Sequence, residues 1–387
     1  MGIIVKTKLI ILTFCAATLC PLTSFAATYP VTVTDVAGRT ITFDHQPQNI
    51  ALSTSRTFPL LEIIYQQDAA KHLVAARDDM QSSAPSMYAN YVKHYPSLQH
   101  VPKIGLIKSG EFDAERFINL KPKPDLFIVD LSNIKLAQDN GLLQKLAAAG
   151  IKVIAVDFRE NPIKNTVKSV ETVAKAVGRN AQGQAFAHYY LDHVAALEQT
   201  IAQHSNLTPK RVFIERAAGY RDSCCRTFAG GNMGAYIPFL KAINIADKPL
   251  KGAITGQMSP ETVITARPDV YIMQTTGWIN DKGQPTHGIP LGYNPNPATI
   301  KIATKALMDR DWLQAVSAYQ TKNVYSIYMP FYNSPYNLVA MEYFAKWIHP
   351  NVFKDLNPQQ TFEEMNKQFG QRIVSGDFGQ NNFKAMQ

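Results

Sequence analysis

Two stretches decide how this chain is read: "SGEFDAERFINLKPKPDLFIVD" at 109–130 and "TGQMSPETVITARPDVYIMQT" at 255–275. In the first, Gly110, Glu115 and Pro122 are separated by five and seven residues, and Gly256, Glu261 and Pro268 repeat those intervals in the second. Each stretch then runs through Pro-Asp into an apolar segment, "DLFIVD" or "DVYIMQ". Self-similarity at fixed offsets is the mark of repeated architecture. The unit reads as a turn, a short helix starting near the glutamate, a stop at Pro-Asp and a buried strand. Two copies predict two similar lobes.

Strands and helices alternate around both copies. In the first half, "NIALSTS" precedes the helical "FPLLEIIYQQ" and "HLVAAR" follows; later "LLQKLAAAG" stops at Gly150 ahead of the strand "IKVIAVDF". In the second half, "RVFIERA" leads through a loop into a helix expected over "AYIPFLKAINI", and "NVYSIYM" precedes the helix "YNLVAMEYFAKWIH". Such alternation implies an α/β fold with central parallel sheets covered on both faces. Between the halves, 161–206 reads as two helices split near Gly178, the second with Phe186, Tyr190, Val194, Leu197 and Ile201 on one apolar face. A long helical connection is stiff and holds the lobes at a near-fixed separation. The expected division is a signal peptide at 1–26, an N-terminal lobe at 27–160, the linker at 161–206 and a C-terminal lobe at 207–387, with a ligand cleft between the lobes.

The N-terminal segment has Lys6 and Lys8 ahead of an apolar run and ends in Ser24-Phe25-Ala26, the pattern of a cleaved secretory signal. Export is therefore expected, with a mature chain starting near Ala27. Net charge is +9, or +7 once Lys6 and Lys8 are removed, which favours anionic partners. No run of Lys and Arg suggests nucleic acid. The signal G-x-S-x-G, H-E-x-x-H and G-x-x-x-x-G-K patterns of hydrolases and nucleotide enzymes are absent from the sequence. No catalytic residue and no cofactor is expected.

In open α/β sheets ligands lie beyond the carboxyl ends of the strands. The loops this selects concentrate cations: Arg56, Arg77, Lys108, Arg159, Arg216, Arg221 and Arg226. Guanidinium forks grip anionic oxygens in a bidentate geometry. Tyr220, Trp278, Tyr328, Phe331 and Tyr332 lie on the same loops and offer flat apolar surfaces. The expected ligand contacts are Arg56, Arg77, Tyr220, Arg221, Arg226, Trp278 and Tyr332. His287 has no second ligand at metal-binding spacing and reads as a loop histidine.

The order of these blocks over nearly the whole mature chain, with "ALSTSRTFPLLEII", "VPKIGLIKSGEFDAERFINLKPKPDLFIVD", "LAAAGIKVIAVD", "MSPETVITARPDVYIM" and "WLQAVSAYQTKNVYSI", resembles class III periplasmic substrate-binding proteins. That family serves ABC importers of ferric siderophores, haem and cobalamin. The resemblance implies a monomeric carrier that binds a small metal chelate, foremost a ferric siderophore, or alternatively haem, cobalamin, a metal ion or an oxyanion. It also implies an inner-membrane permease as partner, met by Glu115 on one lobe and Glu261 on the other. An extra Lys-Pro at 123–124, a Cys-Cys loop and a polar insertion near 279–300 depart from the family pattern.

With the signal removed, Cys224 and Cys225 are the only thiols in the chain. A vicinal disulfide that stiffens the loop is the favoured reading in an oxidising compartment, ahead of free thiols or metal ligation. A different class of function, an exported thiol redox or metal-thiolate protein, would use the same pair. Against it, redox pairs are usually spaced C-x-x-C, and "SCCRTFAGG" offers no further soft ligand.

Overall fold

The structure, a computed structural model, describes residue 2 and residues 28–387 apart from 205 and 281. Apart from residue 2, the predicted signal segment lies outside the described residues.

A short antiparallel hairpin, β1 (Val31–Thr34) and β2 (Thr40–Phe43), opens the N-terminal lobe. The lobe is built on β3 (Ile50–Leu52), β4 (Leu73–Ala76), β5 (Leu126–Asp130) and β6 (Lys152–Val156), all parallel, in the order β4-β3-β5-β6. Strand periodicity divides its side chains cleanly. Ala51, Phe127, Val129, Val153 and Ala155 face a satellite core with Phe117, Ile134 and Leu146, whereas Ile50, Leu52, Ile128, Ile154 and Val156 face the main core.

The C-terminal lobe uses β7 (Arg211–Arg216), β8 (Arg226–Phe228), β9 (Ile243–Asn244), β10 (Thr255–Gln257), β11 (Val270–Thr275), β12 (Gly292–Tyr293), β13 (Val324–Tyr328), β14 (Gly376–Asp377) and β15 (Gly379–Asn381). Its main sheet runs β15-β13-β11-β7-β9, parallel except for β15. Counted within each lobe, both parallel sheets place their strands in the order second, first, third, fourth. Each sequence repeat leads into the third strand: the helix Ala114–Ile118 into β5, and Pro260–Thr265 into β11. The repeat is thus the same structural unit in the same place.

One element differs from its sequence reading. "AYIPFLKAINI" gives only a one-turn helix, Tyr236–Phe239, before the chain turns at Lys241 and enters β9. Lys241 sits at φ 55°, a left-handed conformation that ends helical propagation.

The linker is a helix pair rather than a single rod. Pro162–Ala176 and Asn180–Ala202 meet at Gly178 and pack side by side, and a Cβ on Gly183 would meet the Ala174 Cβ at 2.6 Å. Glycine at 183 therefore permits the close approach. Asn337, at the start of the helix Asn337–Ile348, accepts from the Tyr190 hydroxyl at 3.0 Å and donates to Thr166 at 2.7 Å, so a buried polar trio locks both linker helices to the C-terminal lobe.

The lobes also meet directly. The main core is continuous from β3 and β5 through the linker to β7, β11 and β13. Glu62, fully buried in the helix Phe58–Tyr65, is held by Arg372 from the C-terminal segment at 2.5 and 3.1 Å and accepts from the Tyr91 hydroxyl at 2.9 Å. The insertion after β11 is less polar in place than in sequence: Ile289 and Leu291 are buried, β12 pairs with β14, and the Ile279 amide donates to the Ser82 carbonyl of the other lobe at 3.0 Å.

Candidate ligand cleft

The loops at the carboxyl ends of β3, β4, β5 and β6 face segments 228–232 and 254–255 of the C-terminal lobe across a cavity of about 410 Å³. Its N-terminal wall is organised by Asp79, which is buried. The Asp79 carboxylate accepts from the Thr54 hydroxyl at 2.6 Å, the Ser55 amide at 2.9 Å and Arg56 Nε at 2.8 Å, and Arg77 Nη1 lies 3.4 Å away. One acid thereby fixes the loop after β3 and both cations that flank it. Burial raises the Asp79 carboxyl, but Arg56, the Thr54 hydrogen bond and Arg77 outweigh it and hold the group below its ordinary pKa.

Arg56 also donates to the Tyr332 hydroxyl, which comes from the C-terminal lobe. The Tyr332 ring lies 5.2 Å from the Arg56 guanidinium and 5.3 Å from that of Arg159. Burial raises the Tyr332 phenol, yet the two arginines bring it below its ordinary value. A tyrosine of one lobe is thus seated on two arginines of the other.

Arg159 is placed by the turn that follows β6. Asp157 accepts from the amides of Arg159, Glu160 and Asn161 at 2.8, 2.6 and 2.9 Å, and from Asn165 Nδ2 at 2.7 Å. These bonds hold the loop in one conformation and, through Asn165, tie it to the first linker helix. Across the gap, a Cβ on Gly231 would come within 2.9 Å of the Glu160 carbonyl, so glycine there lets the lobes close together.

Against the C-terminal wall residues, Arg216 ends β7 over the Phe228 ring at 5.3 Å and donates to Thr255 Oγ1 at 3.2 Å. Burial, together with the nearby charges of Arg226 and Arg159, pulls its guanidinium below the ordinary value. Arg216 Nε and Asn232 Nδ2 are buried without a hydrogen-bond partner. Asn232 lines the cavity, and its buried donor is open to an acceptor there. Asp130 completes the floor, where burial outweighs Arg159 and Arg56 and pushes its carboxyl up to about 6.

Arg56, Arg77 and Tyr332 come together here, with Arg159, Lys108 and Arg216 from the wider set of strand-exit cations. Arg226 stands next to this group, on β8 opposite Gln257. Tyr220, Arg221 and Trp278 lie outside the cavity wall. Tyr220 and Arg221 are exposed, and buried Trp278 meets the Tyr220 ring edge-on at 5.5 Å while its backbone pairs with Thr286 of the insertion. His287 is exposed. Asp79, Asp130, Asp157 and Asn232 were not singled out from sequence. The available signal was positional: each acid stands at or just after a strand end, in "RDDM", "DLSN" and "DFRE".

Glu115 and Glu261 project from the first turns of their helices, both exposed, behind the N-caps Asp113 and Ser259. Glu115 also pairs with Lys145 at 3.1 Å, and the Ser259 hydrogen bond lowers the Glu261 carboxyl. The Cys224 and Cys225 sulfurs touch across a cis peptide, with Cys225 fully buried and its carbonyl accepting from the Met258 amide at 3.1 Å. Among the described residues no helix is long and apolar enough to cross a membrane, and no group of three or more His, Cys, Asp or Glu is placed to hold a metal ion.

The fold has solved counterparts. A TroA-like periplasmic binding protein, FepB from Veillonella parvula, superposes with a TM-score of 0.80 at 22% identity, covering 91% of this chain and 99% of that one. The molybdate periplasmic binding protein MolA of Haemophilus influenzae gives 0.63 at 17% identity over 90% of this chain and all of its own, 100%. The periplasmic haem-binding protein RhuT of Roseiflexus sp. RS-1 gives 0.53 at 18% over 79% and 99%. No curated protein sequence matches. The periplasmic binding protein family model matches residues 64–329, which takes in the linker and most of both lobes. By that match and by its two-lobed architecture, the chain belongs to the periplasmic binding protein family.

Proposed function

We propose that the protein is the solute-binding component of an ABC importer, that its cargo is an anionic iron chelate of the ferric siderophore class, and that it carries this cargo through the periplasm without chemical change. The observation behind this reading is the grouping of Arg56, Arg77, Lys108 and Arg159 around one cavity, with Arg216 of the other lobe packed against its wall residues Phe228 and Thr255. A cavity of about 410 Å³ is within the range of small organic ligands and far larger than a bare oxyanion requires. Oxygen-rich chelates present many acceptors at once, which suits several guanidiniums better than a single carboxylate would. Tyr332 supplies a flat face, and Arg226 with the exposed Tyr220 and Arg221 is the outer rim that a ligand wider than the cavity would reach, Trp278 supporting Tyr220 from behind. Glu115 and Glu261 are the contacts to the permease. Cys224 and Cys225 form a vicinal disulfide that fixes the rim loop and lowers the ordering needed on binding.

Titration of purified protein with ferric catecholate, haemin, cyanocobalamin and molybdate, read by Trp and Tyr fluorescence, tests the assignment. Ferric catecholate binds, and Arg159→Ala weakens it by about 1–3 kcal/mol, the range for a hydrogen bond to a charged group. Tighter binding of haemin, cyanocobalamin or molybdate, or no effect of Arg159→Ala, overturns the cargo assignment. In the same preparation, reduction adds two hydrogens to the intact mass; an unchanged mass removes the disulfide.

A further inference from the structure

A second cavity opens on the N-terminal lobe, about 280 Å³ in volume, between β4 and the helices Phe58–Tyr65 and Pro85–His94. Its walls are mainly apolar: Phe58, Leu73, Ala76 and Met80 are buried, and Tyr88, Leu98 and Val101 are partly buried. A dry engineered cavity of about 150 Å³ takes up benzene, so this one has room for an aromatic ring or a short aliphatic chain.

Two features separate it from a packing defect. Its rim is polar and exposed, with Gln81, Gln99 and the Lys103–Asp78 ion pair at 3.1 Å, so it is open to solvent. Arg77 lines both this cavity and the arginine-walled cleft, and Ser55 on this side is the chain neighbour of Thr54 and Arg56 on the other, so the two spaces are a single side chain apart. Of the two arginines on Asp79, Arg77 is the less tightly held, at 3.4 Å against 2.8 Å for Arg56, and it is the more exposed.

We infer that this cavity is an accessory subsite that takes an apolar arm of the same ligand whose anionic head occupies the cleft, with Arg77 at the junction. The inference rests on the reading of the cleft as a ligand site and adds to it the ligand class: an oxygen-rich anionic metal complex bearing a short aliphatic or single-ring aromatic substituent. A ligand of that kind gains from both spaces, because the apolar arm leaves water as the head meets the guanidiniums.

The test uses ferric complexes of catechol and of 4-butylcatechol, titrated into the full-length protein and into Val101→Phe, with Leu98→Phe as a second cavity-filling variant should the first not fold. The butyl complex binds the native protein at least about tenfold tighter, given the burial of four carbons. The filled variant loses that preference while binding the unsubstituted complex as before. Equal affinity of the two complexes for the native protein, or a preference that survives filling, overturns the subsite and leaves the cleft standing. If neither complex binds the native protein, the cleft assignment falls and the subsite with it.

Discussion

At Asp130 the requirements of binding and of stability pull apart. Its backbone amide donates to Ser53 Oγ at 3.1 Å, yet the side chain stands half-buried at the floor of the cleft, pushed up to about 6 by burial despite Arg159 and Arg56. A carboxyl whose pKa is raised on folding favours the native state most when it is protonated. That contribution is fully present below the unfolded value near 4 and is lost as pH rises through about 6. Asp130→Asn therefore raises the thermal midpoint at pH 7.5, by the equivalent of up to about 3 kcal/mol, and leaves it unchanged at pH 4. A variant less stable than the native protein at pH 7.5 would show that Asp130 is satisfied by a partner instead. Arg56 and Arg77 were legible in the sequence because a cation just after a strand end needs only its own neighbourhood to be placed. Asp79 was not, since its role depends on Thr54, Ser55 and Arg56, more than twenty residues upstream.

At the scale of elements, the two glutamate helices are short and lie far from the arginine cleft in chemistry: neither Glu115 nor Glu261 lines the cavity. Each is an N-terminal acid on a side-chain-capped helix, which the helix dipole favours. Both carboxylates stay at the surface, Glu115 within an exposed pair with Lys145, where a partner can meet them. The double variant Glu115→Ala, Glu261→Ala should bind ferric catecholate with native affinity in solution while uptake through the reconstituted importer falls at least about tenfold, the loss expected from removing two charged contacts. A matching loss of solution affinity would assign these residues to the cleft instead. The repeat that contains them was readable from spacing because Pro-Asp stops and apolar strands are local signals. The helix expected over 235–245 was misjudged because its apolar residues serve the short strand β9 as well as one helical turn.

Across the whole molecule, the lobes are joined by more than their linker. Glu62 and Arg372 are 310 residues apart in sequence and form a buried ion pair across the interface, with the Tyr91 and Tyr95 hydroxyls completing the carboxylate. Removing one partner leaves the other buried and uncompensated. Arg372→Met is therefore expected to lower unfolding free energy by about 3–5 kcal/mol, measured by denaturant titration, and Glu62→Gln with Arg372→Met to recover part of the loss. A single-variant change below about 1 kcal/mol would mean that the pair is solvated. The continuous core, the polar trio on Asn337 and the Ile279 to Ser82 bridge act in the same direction, towards lobes of fixed spacing. The sequence by itself determined the α/β class, the two-lobed repeat, the helical connection and the cationic strand ends, because each is written in residues close together along the chain. Only the tertiary structure decided which cations converge, that Tyr332 bridges to Arg56 and Arg159, that Trp278 belongs to the insertion, and that a second cavity lies beside the first. Those outcomes depend on contacts between residues tens to hundreds of positions apart, which packing fixes and local pattern does not.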